Sequence, residues 1–362
     1  MRNKTLSSVK LSSELSERIT ILRLPLIIGV VFLHSYDTMI GRGTQLHYSG
    51  WVKFVCDYVS EGVATVSVPL LFLISGYLFY HGLELSRTGF VSRIAKRGRT
   101  LLIPYLAWNV LCLFLTLIAQ SLPATLSYVS GRSALIASFS LFDYLNAILG
   151  VTTHPIAYQF WFVRDLFLLV LLSPLLYVVL TKAAMPFLGA VALWWAASNV
   201  WSLPVLSRES ILFFSLGALI AITQIDPLGI DKFGMLSLVY LPLSILDALT
   251  KGLSFNNPIH KIAELCGIAF VCCATKYVVR WSTCRNVLIT LSSASFFVFA
   301  THEPLLTVTR KLSYQLFRSS NDMVIVSLYF ADAIGVISVC ISAYYLCRWT
   351  APEMTKLMTG GR

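Results

Sequence analysis

The chain has 362 residues, of which 57% are hydrophobic and only 12% charged, with a formal net charge of +11. A soluble protein of ordinary composition carries about 25% charged residues, so that class is excluded. The apolar material falls in runs of about 20 residues, enough to cross a hydrocarbon core of about 30 Å, and it lacks the short alternating segments of a β-barrel.

The expected fold class is therefore all-α, a polytopic transmembrane helical bundle. The positive charge reads as loop topology rather than nucleic-acid binding, because no basic helix, zinc finger or Gly/Arg tract accompanies it. The eight cysteines show no CxxC spacing and lie mostly in apolar runs, so neither a disulfide framework nor a metal site is expected. No small-x-small cleavage site follows the first apolar run, so a cleavable signal is not expected either.

Residues 1–18 read as a polar, basic, cytoplasmic tail, and the first span runs over 19–37 with Pro25 in its early turns. Arg23 and His34 lie inside this span, eleven positions apart. At about 100° per residue both fall within about 20° of one helix face, roughly 16 Å apart along the axis. Holding a charge inside a bilayer costs at least about 2.5–3.5 kcal/mol, so such a pair requires a reason. A snorkelling arginine with an interfacial histidine is one; a transmembrane active site is the other. Histidine exchanges a proton near neutral pH, which suits it as general base for an alcohol nucleophile, and Asp37 at i+3 could orient its ring or simply face water.

The second span covers 62–80 and contains Pro69 and Ser75-Gly76. Arg87, Arg93, Lys96, Arg97 and Arg99 follow as the densest positive segment, a place for an anionic polyphosphate or simply a basic loop beside anionic lipid. After a third span over 100–119, the longest gap, 120–160, carries Phe139, Phe142, Leu145 and Leu149 at helical steps. That spacing predicts an amphipathic helix lying on the membrane.

The fourth span, 160–180, opens with Trp161, an interfacial aromatic, and Arg164-Asp165 about one turn inside. Further spans are expected over 183–201, 209–223, 233–249, 259–279, 287–308 and 323–347, giving ten, with residues 348–362 as a cytoplasmic tail. His302-Glu303 in the ninth is a second intramembrane histidine beside a carboxylate. With both termini inside, 17 Lys and Arg fall in cytoplasmic segments against nine outside, Arg310 being counted with the external loop 309–322. That asymmetry follows the positive-inside rule. No fixed-period repeat or soluble domain interrupts residues 19–347, which read as one membrane domain.

The chain has no GxSxG elbow, HExxH zinc site, Walker loop or GxGxxG turn. Intramembrane His, Arg and Asp also build proton relays in transporters, so a non-enzymatic transporter or sensor remains an alternative, although no repeated half is present.

These residues together resemble the acyltransferase 3 family, in particular its surface-polysaccharide O-acetyltransferase branch. Arg23 and His34 are similar to the family's Arg-x10-His pattern, and Val68-Pro-Leu-Leu-Phe-Leu-Ile-Ser75-Gly76-Tyr77-Leu78 to its VPLFFLISGYL signature. Arg97-Gly-Arg99-Thr-Leu-Leu-Ile-Pro104-Tyr105-Leu-Ala-Trp108-Asn109, Trp161-Phe-Val-Arg164-Asp165-Leu166, Phe213–Ala218 and Phe296–Glu303 resemble further family segments in the right order. One departure is the RxxR pair of the third helix, where this chain has Arg93 and Lys96 with Arg97 and Arg99 nearby. An esterase-like domain of the kind that follows the tenth span in longer relatives is not expected from residues 348–362.

The resemblance implies transfer of an acyl group, usually acetyl, from acetyl-CoA or another acyl-CoA as co-substrate to a hydroxyl on a lipid-linked or surface glycan. It implies a multi-pass protein of the bacterial inner membrane with His34 as general base. Arg23 would hold the pantetheine arm or the developing oxyanion, and the cations Arg93, Lys96, Arg97 and Arg99 would hold the CoA nucleotide. Asp37, Ser75, Trp161, Arg164, Asp165, His302 and Glu303 are candidate supporting residues. Acylation of an amino sugar or small molecule is the alternative within the family.

Overall fold

The computed structural model describes residues 11–40 (side chains as far as Tyr36), 50–123, 125, 135–197, 203, 205–317 and 321–361. Among them there is no β-strand, and the chain forms an all-α helical bundle. Helix α1 spans Ser13–Ile40. Helix α2 (Gly50–Cys56) runs through a wide turn at Asp57–Val63 and a tight one at Ala64–Val66 into α3 (Ser67–Tyr80). Helix α4 (Arg87–Arg97) continues through Gly98–Leu102 into α5 (Ile103–Ser121). Then come α6 (Leu141–Leu149), α7 (Trp161–Leu171), α8 (Ser173–Ala196) and α9 (Arg208–Ile222). The remainder is α10 (Gly234–Ser237), α11 (Tyr240–Leu249), α12 (Asn256–Arg280), α13 (Ser282–Ser292), α14 (Ser295–Phe317), α15 (Asp322–Thr350) and α16 (Pro352–Thr359).

Six of the described helical stretches are long and apolar enough to cross a membrane, and eight if each of two bent pairs counts as one span. The expected count was ten. The difference comes from interruptions that prolines explain, since proline has no N–H and clashes with the carbonyl one turn back. The run 160–180 stops at Leu171 and restarts at Ser173 with Pro174 in the first turn of α8, and α8 itself breaks at Ala183, one turn before Pro186. The segment 233–249 is divided into α10 and α11. Helix α14 runs to Phe317, so Arg310 is a buried helical residue, 2% exposed, and not a loop cation as its sequence position suggested.

Contacts at the two ends of the bundle join segments that the charge count had assigned to the same side. At one end Glu17 pairs with Arg285 and Arg18 with Asp231 at 2.8 Å, while Trp108 Nε1 donates to the carbonyl of Met358. At the other end Trp51 Nε1 donates to Asp322, Lys251 pairs with Glu61 at 3.9 Å, and Lys261 lies 4.3 Å above the Trp195 ring. An amphipathic helix lies in the long gap as expected: α6 starts at a Ser140/Asp143 capping box and leaves Leu141, Phe142, Leu145 and Leu149 exposed.

Helices α3 and α9 cross at the closest approach in the bundle. A Cβ on Gly76 would stand 2.1 Å from the Phe214 carbonyl oxygen, and one on Gly217 1.9 Å from that of Leu73. Small residues at a crossing let two backbones pack in lipid, where no hydrophobic force pulls helices together. The aromatic core of Phe72, Phe79, Tyr80, Phe213 and Phe214 fills in around this contact.

Candidate active site

The site forms where α1, the segment before α7 and a kink in α14 meet. In α14, Pro304 supplies no N–H, so the carbonyl of Ala300 four residues back loses its helical partner. The residue before a proline is pushed out of the α region, and Glu303 accordingly takes φ −110°, ψ 135°. Gln159, 2% exposed, repairs the break: its side-chain amide donates to the carbonyls of Ala300 (3.1 Å) and Glu303 (3.2 Å). The kink therefore turns His302 and Glu303 inward at the cost of one buried glutamine.

The hydroxyl of Tyr158, the neighbour of Gln159, donates to Glu303 Oε1 at 3.2 Å and stands 3.2 Å from Nδ1 of His34. Thr307 Oγ1 donates to the other carboxylate oxygen at 2.8 Å. With the phenolic proton on the carboxylate, the His34 tautomer that completes the chain carries its hydrogen on Nδ1 and leaves Nε2 as the basic nitrogen. The result is a carboxylate–phenol–imidazole chain that holds a histidine in one tautomer and one orientation, as a triad does. His302 is fully buried, with ring centroid 5.3 Å from that of His34. Its Nδ1 faces the carbonyls of Phe299 (2.7 Å) and Val298 (3.2 Å), which fixes the proton there, and no described residue partners its Nε2.

Arg164 and Asp165 hold this arrangement from behind. Arg164 donates to the carbonyls of Gly150 (2.6 Å) and Thr153 (3.2 Å), and pairs with Asp165 at 3.0 Å. Asp165, fully buried, also accepts from Ser207 N at 2.7 Å, Leu206 N at 3.3 Å and Ser210 Oγ at 3.3 Å. Gly150 adopts φ 65° at the end of α6, and Asn109 Oδ1 accepts from Ala157 N at 3.1 Å. The loop that delivers Tyr158 is thus pinned to α5 and α7, and α7 in turn to the start of α9.

On the other side of His34 the cations converge. Arg97 lies within electrostatic reach of both Arg93 and Arg23, so the arginines of α4 and that of α1 share one neighbourhood. No ion pair among the described residues includes Arg23 or Arg97. Arg93 donates to the carbonyls of Gly82 at 3.1 Å and His81 at 3.4 Å, satisfying acceptors just past the end of α3. Lys96 and Arg99 are exposed.

Of the residues singled out from the sequence, the structure brings His34, His302 and Glu303 into one group and Arg23, Arg93 and Arg97 into another. Trp161 packs on Phe72 at 6.2 Å between centroids, and Ser75 sits half-buried beside Gly76; neither enters the hydrogen bonds of the His34 group. The side chain of Asp37 lies outside the described residues. Tyr158 and Gln159 were missed. Their signal is a polar pair placed directly ahead of the apolar run Phe160-Trp161-Phe162.

The succinoglycan biosynthesis protein ExoH of Rhizobium meliloti (strain 1021) is 24% identical over 369 residues, covering 97% of this chain and 94% of its own. No solved structure matches. The family model for an acyltransferase domain matches residues 17–347, which include every residue of the site, and the chain therefore belongs to the acyltransferase 3 family of membrane proteins.

Proposed function

We propose that this protein is an O-acyltransferase of the bacterial cytoplasmic membrane. It moves an acyl group, acetyl in the simplest case, from cytoplasmic acyl-CoA to a hydroxyl of a lipid-linked or surface glycan. The observation that carries the reading is the chain Glu303–Tyr158–His34, which links a carboxylate through a phenol to one imidazole nitrogen. The relative's part in succinoglycan biosynthesis supports a polysaccharide acceptor.

The acceptor hydroxyl gives its proton to His34 Nε2, and its oxygen attacks the thioester carbonyl carbon. The tetrahedral oxyanion collapses, the carbon–sulfur bond breaks, and the CoA sulfur takes the proton back from the imidazolium. The products are an ester and a free thiol, with no net proton change. Glu303 stabilises the transient imidazolium through Tyr158, as the carboxylate of a triad does. Arg97 and Arg23 attract the anionic donor from the side that the charge asymmetry assigns to the cytoplasm, and hold it by charge-assisted hydrogen bonds.

The test is His34→Ala. Mass spectrometry of surface glycans should show the acyl ester lost while the protein remains in the membrane at wild-type abundance. Persistence of the ester in that variant would sink the general-base assignment.

A further inference from the structure

Arg310 is 2% exposed, and none of its three guanidinium nitrogens has a hydrogen-bond partner among the described residues. Burying a guanidinium without acceptors leaves its desolvation cost unmatched, and evolution normally supplies a carboxylate. Two carboxylates, Glu303 and Asp332, lie within electrostatic reach. Both are otherwise engaged: Glu303 by Tyr158 and Thr307, Asp332 by Ser313 at 2.7 Å. The neighbouring Tyr329 ring stands 5.9 Å from the guanidinium carbon and gives cation–π attraction, while its hydroxyl pairs with Ser60 at 2.6 Å. Ser60 in turn hydrogen-bonds the carbonyl of Phe32, two residues before His34. The cation is therefore tied to the wall of the site through Tyr329 and Ser60, and its five donors meet no hydrogen-bond acceptor among the described residues.

Its place in the fold says what belongs there. Helix α14 starts beside the Arg285 end and passes His302 at the level of His34. Arg310 lies beyond the kink, toward the Phe317 end of the same helix. The donor's cations, Arg23 and Arg97, are on the other side of His34. One guanidinium matches one carboxylate, bidentate, whereas the donor's polyphosphate calls for several cations. Half-buried Phe32 and Phe330, 5.9 Å apart, add apolar wall beside it.

We infer that Arg310 is a substrate-binding residue that receives a carboxylate of the acceptor glycan, so that the acceptor is an acidic sugar such as a uronic acid. The side of entry rests on the transferase reading above; the anion site itself does not. The same carboxylate could instead be carried by a dicarboxylic acyl donor, and the experiment separates the two sources.

The experiment measures thermal unfolding of the full-length protein in lipid nanodiscs with four probes: cellobiouronate, neutral cellobiose, succinyl-CoA and acetyl-CoA. Wild type should gain about 2–4 °C with cellobiouronate relative to cellobiose. Arg310→Met should lose that difference and melt without ligand at or above the wild-type temperature, because it removes a buried charge whose donors no hydrogen bond among the described residues satisfies. Arg310→Lys keeps the charge but not the fork, and should bind cellobiouronate about fivefold more weakly. A shift that depends on Arg310 with succinyl-CoA and not with cellobiouronate overturns the acceptor assignment. Equal responses to charged and neutral probes, or an Arg310→Met protein that melts far below wild type, overturn the site altogether. An Arg310-dependent shift in a protein that transfers no acyl group would leave this site standing and sink the transferase reading.

Discussion

The phenolic oxygen of Tyr158 lies 3.2 Å from Nδ1 of His34, across 124 residues of sequence. In the proposed mechanism the contact makes Tyr158 a positioning residue for His34, since it links the carboxylate of Glu303 to the imidazole. Tyr158→Phe removes one hydroxyl and keeps the ring that packs edge-on to His34 at 5.1 Å. The expected result is a fall in kcat of roughly ten- to a hundredfold, or about 1.4–2.7 kcal/mol of barrier, with the KM for acyl-CoA unchanged. Glu303→Gln should fall in the same range, and the double variant should be no worse than either single one, because both break the same chain. Additive losses would show that Tyr158 and Glu303 act separately.

The arginines of α1 and α4 lead to a different kinetic signature. Arg97 has two like charges, Arg93 and Arg23, within electrostatic reach, a repulsion that a bound anion would offset. Replacing Arg97 by glutamine relieves that repulsion and removes a donor to the ligand. The variant should unfold no earlier than wild type while its Kd for acyl-CoA rises by about ten- to a hundredfold, the worth of one charge-assisted hydrogen bond of about 1.5–3 kcal/mol. Lys96 and Arg99, exposed on the same segment, should matter far less. Binding that weakens equally on Lys96→Gln would place the nucleotide elsewhere on the basic segment.

The sequence made part of this site readable and hid the rest for physical reasons. Arg23 and His34 could be paired because a straight helix converts spacing into a face, and a single helix was all the inference needed. The inward turn at His302-Glu303 was partly visible, since Pro304 announces a break and places two polar residues at it. Tyr158 was not visible, because its position depends on Arg164, Asn109 and Gly150, three residues on three separate elements that meet only in the folded bundle. Arg310 was misplaced for a related reason. A window of apolar residues ends near 308, but the helix itself continues to Phe317, carrying the arginine into the interior where composition alone would put it in a loop. The interrupted spans follow the same pattern, in that proline sites were legible and the bends they produce were not.

Arg164 and Asp165 show how a motif can belong to the site without doing its chemistry. Asp165 accepts from Arg164 and from Leu206 N, Ser207 N and Ser210 Oγ, tying the loop before α7 to the first turn of α9. Both residues are buried, so removing the carboxylate leaves a guanidinium without its counter-charge in a dry interior. Asp165→Ala should therefore destabilise the protein by about 3–5 kcal/mol. Asp165→Asn, which keeps one acceptor oxygen, should lose less. Because the loop carrying Tyr158 hangs from Arg164, the Ala variant should show lower abundance in the membrane and a lower melting temperature, with activity per folded molecule reduced by less than Tyr158→Phe reduces it. A variant that is fully stable yet inactive would mean that Asp165 takes part in the reaction and does more than support the loop.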